Sequence, residues 1–191
     1  HIYNHGGAYM EIKIHHTSPL AYYDISQSIK NCFSKDTIIV CIGTDKCIGD
    51  CLGPLVGSIL KDSLFPIPVY GSIDAPIHAL NIDKKLSEIT KAHPNAYIIG
   101  IDACLGAESS IGEIHIRNFA IRPGKGVGKS LPDVGSKSIV GIIDSNENPE
   151  LFYTRSIRLS LVLSMAKVIA KGIIHGYYEY KNANKLPLKS D

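Results

Sequence analysis

The chain has 191 residues, 45% of them hydrophobic, with 20 Lys and Arg against 18 Asp and Glu and a formal net charge of +2. That length fits one globular domain with a full core, and a charged fraction of 20% argues against intrinsic disorder. With charge nearly balanced, no Trp and four Phe, nothing in the composition supports a nucleic acid or an anionic membrane as a partner.

The opening HIYNHGGAYM lacks a basic start followed by an apolar core, so no secretory signal is predicted there. Residues 1–16 are expected to be a flexible lead without function. Ser18 and Pro19 supply an N-cap and a first-turn proline, which predicts a helix to about residue 33. Residues 37–42, a continuous β-branched run stopped by Gly43, predict a strand buried on both faces. A glycine-rich loop follows, then a helix starting between Asp50 and Pro54, with Leu55, Ile59 and Leu60 inward. Residues 67–71 predict a short strand, 77–93 a helix, and 96–101 a buried strand ending at Asp102. Ile114, Ile116 and Phe119 alternate with polar residues, as in a half-exposed edge or antiparallel strand, and residues 138–143 read as a core strand. Asn148-Pro149 introduces a long helix over about 150–177, and residues 181–191 form a polar tail. Its apolar stretch, residues 159–174, is interrupted by Ser160, Ser164, Lys167 and Lys171 and predicts a soluble helix rather than a membrane span. Apolar surface on it would allow a homodimer.

Strands alternating with helices predict one α/β domain over residues 1–191, a three-layer α/β/α sandwich with a mostly parallel sheet. In such folds ligands gather beyond the carboxyl ends of the strands. Two carboxylates are predicted there. Asp50 lies in Gly43-Thr-Asp-Lys-Cys-Ile-Gly-Asp-Cys-Leu-Gly-Pro54, at the start of a helix whose N–H groups favour an anion, and would in isolation read as an N-cap. Asp45 reads equally as a turn residue. Asp102 follows a buried strand, where desolvation disfavours a lone charge. Together Asp50 and Asp102 suit a shared-proton acid and base pair acting through water, or a divalent metal site; no cofactor is expected.

Cys47 and Cys51 have metal-ligand spacing, but no second Cys or His pair stands nearby at zinc-finger spacing. Five cysteines, mostly in apolar runs, predict a reduced intracellular protein. The loop Pro123-Gly-Lys-Gly-Val-Gly-Lys-Ser130 is one residue short of a phosphate-binding P-loop, and Pro132 stands where its helix would begin. Gly124, Lys125, Gly126, Gly128 and Lys129 instead suit a lid or an anion-contacting loop. His78, behind Asp74-Ala-Pro, is placed to face the cleft, whereas His93, His115 and His175 fall in no usable pattern. The standard serine-nucleophile and zincin signatures do not occur.

Four ordered blocks, the glycine-rich segment from Gly43 to Pro54, Ala75-Pro-Ile-His-Ala-Leu-Asn81, Ile101-Asp-Ala-Cys-Leu-Gly106, and Arg122-Pro-Gly-Lys-Gly-Val-Gly-Lys129 with Leu131-Pro-Asp-Val-Gly135, resemble the YyaC-type sporulation proteins of spore-forming Firmicutes. The resemblance spans about residues 37–174 and takes in Tyr153-Thr-Arg-Ser-Ile-Arg158. That family is similar to the germination protease of spores, an aspartic-type enzyme, and more remotely to hydrogenase-maturation endopeptidases. The resemblance implies a phosphorylase/peptidase-like fold, catalytic roles for Asp50 and Asp102, and a cytoplasmic protein of the sporulating cell or forespore. It also implies a peptide or spore protein bound by Gly43, Thr44, Asp45, Gly49, His78 and the 123–129 loop. Thr44 stands where the peptidases have Asn. Of the two carboxylates and a His with which maturation peptidases bind metal, only the carboxylates map here.

Overall fold

The computed structural model describes residues 11–123 and 131–185. Six strands and four α-helices appear among them: β1 (Glu11–His15), α1 (Ala21–Ile29), β2 (Thr37–Cys41), α2 (Leu52–Asp62), β3 (Val69–Tyr70), α3 (Ile82–Ala92), β4 (Tyr97–Gly106), β5 (Glu113–Arg117), β6 (Lys137–Ser145) and α4 (Leu159–Ala183). The strands form one sheet in the order β1-β5-β6-β4-β2-β3. Strands β6, β4, β2 and β3 run parallel, while β5 is antiparallel to both β6 and β1. The fold is therefore mixed α/β with a mostly parallel sheet.

Every residue of β2 is buried, as its unbroken β-branched run requires. Alternate side chains enter two apolar clusters. Ile39 and Cys41, with Ile99 and Ile101 of β4, pack with Ile25, Leu52, Val56 and the inner face of α4. Ile38 and Val40 pack instead with Ile82 and Ile89 of α3 and with Ile121 and Val134. In α4, buried Val162, Met165, Ala166, Ile169, Ala170 and Ile173 recur at helical spacing. By length and composition this 25-residue helix would also suffice to cross a membrane, although 44% of its most apolar window is buried in the domain. In this structure the helix forms the core beneath α1 and α2.

The structure moves several expected boundaries. Residues 11–15, expected in a flexible lead, are β1, because Ile12 and Ile14 pair with Ile116 and Ile114 along the outer side of β5. Strand β5 is antiparallel as expected but lies inside the sheet, and β1 takes the edge. The first helix begins at Ala21, not at Pro19, and ends in a 3₁₀ turn, Lys30–Cys32. Helix α3 starts later than residue 77 because Ile77 is drawn into a parallel bridge with Ile42. The long last helix starts at Leu159, after a separate 3₁₀ turn over Pro149–Thr154, and runs to Ala183.

Helix α2 lies hard against the end of β2. A Cβ on Gly53 would stand 2.1 Å from the carbonyl oxygen of Ile42 and 2.8 Å from its nitrogen, so backbone meets backbone there. Gly53→Ala should therefore lower stability by about 2–3 kcal/mol in a denaturant titration, the usual cost of forcing atoms into a full core. Lys84→Ala, on the exposed side of α3, should stay within about 0.5 kcal/mol. Equal midpoints for the two variants would refute this account of the contact.

Candidate active site

Pairing between β2 and β4 runs from Thr37 opposite Tyr97 to Cys41 opposite Ile101. A last bond joins the Ile42 N–H to the Ile101 carbonyl at 2.8 Å. Asp102 is the next residue, opposite Val140 of β6. It was expected to follow the strand; instead β4 continues past it, so Asp102 sits within the sheet where one neighbour has ended. Its side chain is 8% exposed, and Oδ1 accepts the Ala103 N–H at 2.8 Å. Burial pushes its carboxyl well above the usual carboxylate range, the charge of Asp50 pushes the same way, and the Ala103 N–H pulls against them.

Asp50 is brought to this edge by a backbone closure. Gly43 has φ of +136°, and a Cβ on it would lie 2.0 Å from the carbonyl oxygen of Asp50. That is a position for glycine on both counts. The Thr44 N–H donates to the same carbonyl at 2.9 Å. Asp50 ends the 3₁₀ turn Ile48–Asp50 and is half-buried. Cys51, the residue after it, holds the cap position of α2, with no side-chain cap bond of its own.

The neighbouring residues divide by role. Gly49 is buried and Asp45 exposed. The Thr44 hydroxyl accepts the Lys46 N–H at 3.3 Å, closing its own turn. His78 follows Ile77, whose carbonyl takes the Gly43 N–H at 2.8 Å. Its Nδ1 accepts the Leu80 N–H at 3.2 Å, and its carbonyl takes the N–H groups of Asn81 and Ile82. His78 thus serves the approach to α3. Gly124, Lys125, Gly126, Gly128 and Lys129 lie outside the described residues. Among those described, no group of three or more His, Cys, Asp or Glu side chains is arranged to hold a metal ion. For a divalent cation the site would supply two carboxylates, without a third ligand of those types.

Two polar features beside the pair were not drawn from the sequence. On the sheet face carrying Asp102, a cross-strand row runs through Val140 to His115 and Lys13. His115, 5% exposed, places Nε2 2.8 Å from Glu113 Oε2 and Nδ1 3.2 Å from Glu11 Oε1. Arg117 Nε donates to Glu11 at 2.6 Å. The signal was present in EIKIH and EIHIR, two segments whose charged residues share one side. Beyond the end of β6, Arg155 binds Asp144 at 2.9 Å and donates to the carbonyls of Ser145, Glu147 and Asn148. It gathers the chain reversal that leads into α4.

The structure is a mixed α/β domain with a mostly parallel sheet, in which the charge of Asp50 reaches the buried carboxyl of Asp102 near the end of β2. By sequence the chain belongs to the family described as "Protein of unknown function (DUF1256)", whose model matches residues 13–172. It is similar to a protein of Bacillus subtilis (strain 168) described as "Uncharacterized protein YyaC", 43% identical over 150 residues, which covers 78% of this chain and 73% of the relative.

The buried carboxyl has a stability consequence whose sign is fixed. Below the ordinary Asp value the folded and unfolded chains both hold the proton, whereas near neutrality only the unfolded chain releases it freely, so a raised Asp102 costs stability as pH rises. Asp102→Asn should accordingly raise the thermal midpoint at about pH 7, by about 2–4 °C for each kcal/mol relieved, and leave it nearly unchanged at about pH 3.5. A variant less stable than the parent at the higher pH would contradict the assignment.

Proposed function

We propose that this protein is a hydrolase of peptide bonds in which Asp50 and Asp102 divide the work of activating water. We take its architecture to be a three-layer α/β/α sandwich of the phosphorylase/peptidase type, with α1, α2 and α4 on one face of the sheet and α3 on the other. The observation that carries the reading is the inequality of the pair: Asp102 is buried and inclined to keep its proton, while Asp50 beside it is half-exposed. Asp50 as carboxylate takes a proton from water as its oxygen attacks the carbonyl carbon. Asp102 as acid gives its proton to the leaving nitrogen as the C–N bond breaks, yielding a carboxylic acid and an amine. A divalent cation held by both carboxylates is the variant of this chemistry that the experiment separates. The resemblance to sporulation proteins and the germination protease supports a spore protein or peptide as substrate and the cytoplasm of the sporulating cell or forespore as location.

One observation favours a second reading, a non-catalytic sporulation factor that binds a peptide or protein in the same cleft. Thr44 replaces the Asn of the peptidases, and its hydroxyl closes its own turn.

The test is a mass-spectrometric time course of the purified protein with an acid-soluble spore-protein extract, beside Asp50→Asn and Asp102→Asn, with and without chelator. Discrete fragments that fall by at least about a hundredfold in both variants are expected for general acid and base roles. Chelator sensitivity would assign part of the chemistry to a metal, and an extract left intact by the parent protein would move the binding reading ahead.

A further inference from the structure

Among the described residues β1 is an edge strand of the sheet, paired with β5. Opposed residues of an antiparallel pair alternate between those that exchange backbone bonds and those that do not. The His16 N–H donates to the Gly112 carbonyl at 2.9 Å, so in the same register Ile12 and Ile14 turn their backbone groups to β5, while Glu11, Lys13 and His15 turn theirs outward. The Ile12 and Ile14 amides therefore report whether β1 is docked.

Side-chain ties across this junction converge on one ring. His115, on β5, lies opposite Lys13 and is buried. Its Nε2 stands 2.8 Å from Glu113 Oε2. Its Nδ1 stands 3.2 Å from each of two groups of opposite kind, Oε1 of Glu11 on β1 and Nη2 of Arg117 on β5. A neutral imidazole has one donor and one acceptor. With its proton on Nε2 and directed at Glu113, the bare Nδ1 accepts from Arg117, and both bonds lie within β5. A second proton turns Nδ1 into a donor, which then opposes Arg117 with like charge and binds Glu11. That bond crosses to β1.

The charges around the ring leave it as the group that changes. Burial pushes Glu11 up, but Arg117, with His115 and Lys13, holds it below the ordinary glutamate value. Burial likewise opposes His115, Ser110 and Lys13 at Glu113, and the net direction is again downward. Both carboxylates thus stay charged over the range in which histidines change state. From β6 the ring meets Val140, and beyond it on β4 stand Asp102 and the Cys104 thiol, which Arg117 also contacts. His15 shares the ring's face of the sheet, and the His16 ring lies against the Gly112 carbonyl at 2.9 Å.

We propose that His115 is a proton-operated latch on β1: the neutral ring is tied within its own strand, and the protonated ring also ties β1 through Glu11. Undocking β1 leaves β5 as the edge of the sheet, so the proton shifts the balance between a six-stranded and a five-stranded sheet. The latch stands apart from Asp50 and from any chemistry performed there.

The test is amide hydrogen exchange in the full chain, taken at each pH relative to the intrinsic rate of the unfolded sequence. Ile12 and Ile14 should be at least about fivefold better protected at about pH 5.5 than at about pH 8. The midpoint of that change should coincide with the titration of the His115 ring protons followed by NMR in the same sample. His115→Gln, whose amide can donate and accept but cannot take the charge, should hold both amides at their high-pH protection throughout. His15→Gln and His16→Gln should leave the dependence in place. Protection that does not change with pH, a dependence that survives His115→Gln, or a midpoint that follows His15 or His16 would overturn the latch. If His115→Gln does not fold, the two midpoints in the parent chain decide: coincidence sustains the latch and mismatch ends it.

Discussion

The candidate site depends on two backbone contacts at the end of β2. Gly53 lets the first turn of α2 rest on Ile42, and Gly43 lets the chain bend until it touches the carbonyl of Asp50. A side chain at either place would push the helix start outward and take Asp50 with it. Because these contacts are backbone on backbone, rotamer changes cannot relieve them, and the whole segment 43–53 is held as one piece. The carboxylate pair is therefore a property of chain path as much as of two acidic residues.

Inequality within that pair follows from where each strand stops. Asp102 lies on a strand that outruns its neighbour and is enclosed by the sheet. Asp50 comes from a turn above the sheet and keeps more contact with water. Similar carboxyls placed equally would share their proton in a symmetrical way; here burial and mutual repulsion act chiefly on one of them. The carboxylates are also unlike in support. Asp102 is steadied by its neighbour's amide, and the segment bearing Asp50 is fixed through its own carbonyl.

Much of this was legible in the residues. The unbroken run in β2, the glycines around Asp50 and the carboxylate set against an apolar strand each point to one chain path by local physics, and β2 is buried throughout as that run requires. What local patterns could not show was where pairing ends. Whether Asp102 closes β4 or sits within it depends on β6 continuing beside it, a contact between distant segments. The same holds for β1, whose five residues form a strand only because β5 offers an unpaired side. Helix α3 begins late for a related reason, since Ile77 is claimed by Ile42. His115 showed no motif because its partners Glu11 and Glu113 are organised by the sheet, one across strands and one two residues away.

The thiols near the carboxylates bear on which atom can act as a nucleophile. Burial raises Cys41, Cys51 and Cys104 above the ordinary thiol value, and the neighbouring aspartates add to it. The reactive form of a cysteine is the thiolate, and near neutrality these three hold their protons. Held as thiols, these sulfurs have no advantage over water, although sulfur is intrinsically the stronger nucleophile. The same protons slow peroxide attack, since the oxidation ladder starts from the thiolate. Cys41, Cys51 and Cys104 can therefore stand near the two aspartates as protonated thiols.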